Sequence, residues 1–533
     1  MQINTAHSLS RRSFLAGAGM ISALGALAGC SSNSSSDSEG SAATEETSYR
    51  DTLQIALPAS PDGLDPAMTS STVTVDIMAN VLEPLYGMDN TYEPQPILAE
   101  SATASDDGLT YTIKLRSGVK FHDGSDLTAK DAAASMNHWH TVCGRAQQLL
   151  PDATFEATGD LELVAKLSQP ASDFLTIIGA HSQYAGIVPQ AVADAAGEGG
   201  ITTYTGTGAY KFDEWKQDQY IHLVRNDDYQ PASGEPSGFA GKISAPTKEL
   251  YFRFVTDSST RVTGFETDEY DIVDEIPTEN YHDFDGNSDV KLYERASGVL
   301  TAFFNQNAGV FADEDIRKCA QMAINCDDAA LAAYGEAELF TVDCNLMSPD
   351  NAQWANDSGK ALFNQNNPDG AKEALTKTSY NGEKVRLLTT PDYKEMYNST
   401  VALQEQLQKA GFNAEIVSFE FATFMEYRSS KPEEWDLFVA STNYKPIPAQ
   451  SLSVSKDFYG LSDEEALDLV AQTRTAADHA AALEAWKQAQ QRLYDIAVVL
   501  PLCHYKSLTG TQADVEDFEQ FDGSVVWNAY RPE

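Results

Sequence analysis

Positive charge is scarce in this sequence. Its 533 residues include 36 lysines and arginines against 79 aspartates and glutamates, a formal net charge of −43. So acidic a chain repels nucleic acid and anionic membrane surfaces, which argues against both as partners. Long apolar runs are missing too. The stretch Phe14–Ala28 holds fifteen uncharged residues. As a helix it would span only about 22 Å, short of a bilayer core. No later segment approaches membrane-spanning length, so the body is not a permease. Cysteine is sparse, and after Cys30 five remain: Cys143, Cys319, Cys326, Cys344 and Cys503. An odd number leaves at least one thiol unpaired. Cys319 and Cys326 are expected in one helix, about 10 Å apart along its axis and too far for a disulfide. No Gly-x-Ser-x-Gly elbow, no His-Glu-x-x-His and no Cys/His cluster occurs. His138-Trp139-His140 has i,i+2 spacing, which on a helix turns the two imidazoles to different faces. Gly206-Thr207-Gly208 lacks the lysine of a phosphate loop and reads as a tight turn. No catalytic residue, cofactor or metal site is therefore expected.

What is present is ordinary core material: 42% hydrophobic and 10% aromatic residues, with 22% charged, enough for about three packing units. The N-terminus carries Arg11-Arg12 ahead of its short Gly- and Ala-rich run, the pattern of a twin-arginine export signal over residues 1–29. It ends in Leu27-Ala28-Gly29-Cys30, which resembles a bacterial lipobox and implies lipidation of Cys30. Removing residues 1–29 discards two arginines and no acid, taking the net charge from −43 to −45. From Ser31 to Tyr49 eight of nineteen residues are serine. Such a segment buries too little to offset its ordering entropy, so residues 30–49 are expected to form a tether.

Further along, Leu53–Leu57 alternates as a strand and stops at Pro58. A helical pattern is expected to run through Val81–Tyr86. Asp107-Gly108 supplies a turn, after which Leu109, Tyr111, Ile113 and Leu115 fall on one strand face. Phe121-His122-Asp123-Gly124 follows, and Thr128 caps a helix opening Ala129-Lys130-Asp131.

This block resembles the signature of the family-5 extracellular solute-binding proteins, the peptide/nickel-type receptors of ABC importers. Further similar segments follow in order: Gly206–Phe212 with Trp215 and Arg225-Asn226-Asp227-Asp228-Tyr229; Tyr270-Asp271-Ile272 ending in Ile276-Pro277; Phe304-Asn305 with Phe311–Lys318; and Gln491–Leu502. The resemblance covers roughly residues 50–510. It implies an α/β, periplasmic-binding-protein-like two-lobed fold (type II, cluster C-like) with an extra subdomain. Lobe I would comprise residues 50–93, 205–303 and 503–533, the subdomain 94–204, and lobe III 304–502. The chain would cross between lobes near Thr301–Asn305 and Pro501–Tyr505.

The resemblance also implies a small solute held between the lobes, a monomeric receptor, and permease subunits of an ABC transporter as partners. Carried over residue by residue, the ligand site comprises Asp274 and Glu275, Phe303 and Asn305 at the first crossing, and His504 and Tyr505 at the second. The loop after strand Trp435–Val439 adds Thr442, Asn443, Tyr444 and Lys445. Peptide-binding members typically carry an aspartate in that loop which pairs with the ligand amine. Here the aspartate is absent and Lys445 stands near its place, which favours a carboxylate over an ammonium. A short peptide is the first expectation. An amino-acid derivative, a sugar or chelated nickel is the alternative within the class, and a secreted hydrolase or chaperone-like surface protein the alternative outside it.

Overall fold

The computed structural model describes residues 48–533 apart from Glu198 and Ala477. The expected signal over 1–29, the lipidated Cys30 and the tether as far as residue 47 lie outside the described residues. Residues 48–533 form one compact unit. Its spine, among the described residues, is a mixed sheet of eleven strands shared by two lobes, ten in one path and the short Phe340–Thr341 paired beside Val499–Gln512. Two long antiparallel strands, Val290–Phe304 and Val499–Gln512, run through the middle. On one side the sheet continues through Leu437–Asn443, Lys384–Thr389 and Asn413–Ser418. On the other it continues through Ile272–Val273, Thr52–Leu57, Glu249–Phe254, Tyr220–Arg225 and Tyr210–Lys216. This is the α/β two-lobed body that the resemblance implied.

The chain changes lobes within the two long strands. Val290–Ala296 pairs with Gln512–Lys506, whereas Gly298–Phe304 gains a second neighbour in Asn443–Leu437. Between them Ser297 is a bulge: Ala296 faces Lys506, yet Gly298 faces Tyr505. A bulge bends a strand and tightens its twist, which lets one strand serve two half-sheets. The crossing therefore lies at Ala296–Gly298 and Tyr505–Ser507. The expected Thr301–Asn305 segment is already core of the second lobe, where Leu300, Ala302, Phe303 and Phe304 are wholly buried.

Beside the first lobe sits a four-stranded antiparallel sheet in the order Ala99–Ala104, Thr110–Leu115, Glu162–Lys166, Thr154–Ala157. Tyr111, Ile113 and Leu115 face its core, as their alternation predicts. Helix Ala129–Val142 starts at Thr128, whose N–H and Oγ1 both donate to Asp131, at 2.9 and 2.6 Å.

Several of the sequence motifs prove to be one structural knot. A Cβ on Gly206 or Gly208 would sit 2.0 Å from the Val81 carbonyl or 2.4 Å from that of Asn80, so only glycine permits this approach. Thr207 Oγ1 and Tyr229 Oη donate to the two oxygens of buried Glu83, at 2.7 and 2.8 Å. Burial holds the Glu83 carboxyl above its ordinary range, and these two donors pull it back. His122 closes the knot, with Nε2 2.9 Å from the Gly208 carbonyl and Nδ1 accepting from Gly206 N–H at 3.2 Å.

Two local expectations fail. The helix expected through Val81–Tyr86 is instead Thr72–Met78. The following backbone is irregular because the Asn80 and Val81 carbonyls accept from Tyr210 and Gly208. Cys319 and Cys326 belong to two helices, Glu314–Ala323 and Cys326–Tyr334, the second opened by Asn325, whose side chain accepts from Asp328 N–H. All five described cysteines are free and buried.

Candidate functional site

Between the lobes lies a cleft of about 920 Å3. Its floor is the crossing itself, with Ser297 and Tyr505 on the two long strands. The first lobe contributes Tyr92, Glu275, Arg295 and Asp522; the subdomain contributes Arg145, His181 and Gln183; the second lobe contributes Asn443, Tyr444 and Lys445 from the end of strand Leu437–Asn443 and the loop that follows. Tyr92, Gln183 and Glu275 each have positive φ, at 62°, 52° and 50°. Backbone held in this sparsely populated region clusters at ligand sites. Each of these turns is secured by its own contacts: Tyr92 N–H donates to the Asp89 carbonyl, the Gln183 carbonyl accepts from Trp139 Nε1 and Arg145 Nη2, and the Glu275 carbonyl from Arg261 Nη2.

Half of the sequence-derived residues meet here. Glu275, Asn443, Tyr444, Lys445 and Tyr505 line the cleft, and Tyr505 Oη donates to Asn443 Oδ1 at 3.1 Å. The others do not. Phe303 is fully buried and stacked on Phe438, with ring centroids 5.0 Å apart. Asn305 is also buried, its amide donating to the carbonyls of Pro432 and Trp435. Both are core residues because the crossing lies earlier than expected. Thr442 turns its hydroxyl toward the Val299 carbonyl across the sheet, at 3.4 Å. Asp274 is buried behind the cleft wall and accepts from Thr509 Oγ1 at 2.8 Å; burial first, then the charge of Asp76, holds its carboxyl above the ordinary range. His504 lies behind Tyr444 rather than on the surface.

Sequence reasoning missed Arg145, His181, Arg295 and Asp522. Arg295 Nη1 lies 3.7 Å from Asp522 Oδ1, and His181 Nε2 lies 2.9 Å from Asp76. No local pattern marks them, because each comes from a different element and only the fold assembles them. Among the described residues no group of three or more His, Cys, Asp or Glu side chains could hold a metal ion. His138 is engaged by Asp65 at 2.8 Å and His140 by the Leu150 carbonyl. Nor is any described helix long and apolar enough to cross a membrane.

The Tyr444–His504 pair gives a pH prediction. Tyr444 Oη is 2.6 Å from His504 Nδ1. Burial raises the tyrosine pKa and pushes the histidine down to about 4. Near neutrality the imidazole is therefore uncharged, and its Nδ1 shares a hydrogen bond with Tyr444 Oη. In the unfolded chain His504 takes its proton first, near its ordinary value of about 6.5. The stability contributed by the neutral ring is thus complete above pH 6.5 and lost as pH falls toward 4, up to about 3 kcal/mol. Protonation of raised carboxyls such as Asp274 acts in the opposite direction, so the difference between wild type and His504→Gln isolates the histidine. Melting curves between pH 7.5 and 4.5 should fall more steeply for the wild type; parallel curves would contradict the assignment.

The profile of the bacterial extracellular solute-binding proteins, family 5 Middle, matches residues 93–458. Among curated proteins the chain is similar to the "probable peptide ABC transporter periplasmic-binding protein y4tO" of Sinorhizobium fredii, with 25% identity over 387 residues covering 70% of this chain and 72% of that protein. It is also similar to the glutathione-binding protein GsiB of Escherichia coli, 27% identical over 483 residues, covering 84% of this chain and 89% of that one. Among solved structures, the ABC transporter substrate-binding protein CtaP of Listeria monocytogenes superposes with a TM-score of 0.77 at 19% identity, covering 91% of this chain and all of that one. The chain belongs to the bacterial extracellular solute-binding proteins, family 5, the substrate-binding proteins of ABC transporters.

Proposed function

We propose that the protein is the lipid-anchored, monomeric receptor of an ABC importer, and that it traps a short peptide and delivers it to the transmembrane subunits without chemically changing it. The cleft of about 920 Å3 carries this reading. Its volume lies in the upper part of the roughly 300–1,000 Å3 range of small-ligand sites, and its wall comes from both lobes. A solute touching both walls makes its full set of contacts only when the lobes are together, so binding shifts the population toward closure. The names of the relatives, a peptide-transporter component and a glutathione-binding protein, favour a peptide over a sugar. Glu275, Asn443, Tyr444, Lys445 and Tyr505 are the contact residues in this reading.

A thermal-shift screen against di- to pentapeptide mixtures tests the solute class. At least one mixture should raise the melting temperature. No response to any peptide, with a clear response to a sugar, would sink the peptide reading. The anchor rests on Leu27-Ala28-Gly29-Cys30 after the paired arginines. Cys30→Ala should move the protein from the membrane fraction to the soluble one, and continued membrane association would contradict lipidation.

A further inference from the structure

Two cations reach the cleft from opposite walls with no carboxylate oxygen in ion-pair contact, although the charge of Asp522 acts on Lys445 from farther off. Arg145 belongs to the subdomain segment Gly144–Leu149. Its Nη1 and Nη2 donate to the carbonyls of Ile177 and Gln183, at 3.0 and 3.2 Å, while its buried Nε has no partner. Lys445 follows strand Leu437–Asn443 of the other lobe. Among the described residues neither side chain has a carboxylate oxygen within 4.0 Å, and Lys445 Nζ has no hydrogen-bond acceptor. Arg295, by contrast, has Asp522 at 3.7 Å.

The imbalance runs against the composition. The cleft wall carries Arg145, Arg295, Lys445 and Lys456 against Glu275, Asp457 and Asp522, an excess of one positive charge. The whole chain carries −43. Arg145 is held by two backbone carbonyls, whereas Lys445 Nζ has no acceptor, and a desolvated cation left without one is costly. Loss of water lowers the Lys445 pKa, the charge of Asp522 pulls it back up, and the charge of Arg145 pushes it down, a repulsion between the two cations across the gap. Bringing the walls together with nothing between them increases that repulsion. An anion placed between them converts it to attraction.

We propose that Arg145 and Lys445 form an anion subsite that takes a free carboxylate of the solute and bridges the two walls, so that recognition runs through the carboxylate and not through an amine. This rests on the reading of the cleft as a solute trap and names the ligand class: peptides or acylated amino acids with a free carboxylate, whether or not their amine is blocked. Charge-assisted hydrogen bonds supply the specificity, and either cation alone gives only part of it.

The test uses the whole chain and three tripeptide mixtures: unmodified, N-acetylated and C-amidated. The unmodified and N-acetylated mixtures should raise the melting temperature of the wild type, and the C-amidated mixture should not. Arg145→Met and Lys445→Met, with unchanged circular dichroism, should weaken binding of the N-acetylated peptides roughly 10- to 100-fold, while Lys445→Arg keeps most of it. A response to the C-amidated mixture equal to that of the unmodified one, or unaltered affinity in both methionine variants, would overturn the subsite and leave the receptor reading standing. Silence toward all three mixtures would instead remove the peptide reading. In that case N-acetyl amino acids, succinate and citrate decide: a response lost in the methionine variants upholds the subsite, and no response to any of them overturns it.

Discussion

Asp436→Ala is expected to lower stability by about 3–5 kcal/mol, the cost of removing one partner from a buried ion pair. Asp436 is completely buried, just before the strand that carries the cleft loop. One oxygen accepts from Val310 N–H at 2.7 Å, and the other from the backbone N–H and Nε of Arg386, at 2.7 and 2.9 Å. Alanine leaves the guanidinium without its counter-charge and two backbone donors without acceptors. The protein should then melt roughly 6–10 °C lower, at about 2 °C per kcal/mol or less for a unit this large. Differential scanning calorimetry reads this directly. A loss below about 1 kcal/mol would mean that water replaces the carboxylate there, and that this strand is less firmly anchored than its contacts indicate.

Gly298→Ala should damage the cleft more than the core. Gly298 follows the bulge, paired with Asn443 on one side and Tyr505 on the other. A Cβ here would lie 2.3 Å from the Thr442 carbonyl and 2.3 Å from Tyr505 Oη. The carbonyl belongs to the sheet and cannot yield without opening the strand pair; Tyr505 is part of the cleft floor. Overpacking of this kind costs about 1–3 kcal/mol. Because the displaced groups are the floor itself, affinity for solute should fall at least about tenfold, equivalent to ~1.4 kcal/mol. Calorimetric titration beside a melting curve separates the two effects. Lower stability with unchanged affinity would place the solute away from Tyr505.

These two positions also mark how far the sequence could be read. The body was legible because its signals are local: alternation over Leu109–Leu115, the Thr128–Asp131 cap, and the glycines that admit the Val81 backbone beside Gly206 and Gly208. Asn443, Tyr444 and Lys445 were found because the loop after a strand end is a recognisable place in the fold. Phe303 and Asn305 were misplaced because a one-residue bulge at Ser297 decides where the sheet changes hands, and nothing in the composition of the strand announces it. Arg145 and Arg295 lie 150 residues apart, and Asp522 belongs to the C-terminal segment. Their meeting depends on tertiary assembly, not on any periodicity. The net charge of −43 belongs to the whole chain and says nothing of the cleft, whose lining carries four basic side chains against three acidic ones.

The claim on which all of this depends is that solute draws the lobes together. Small-angle X-ray scattering, with and without a peptide mixture that raises the melting temperature, measures it most directly. The account predicts a smaller radius of gyration in the presence of peptide, and no such change with the same peptides added to Arg145→Met/Lys445→Met. Saturable binding by the wild type with an unchanged radius of gyration would contradict it.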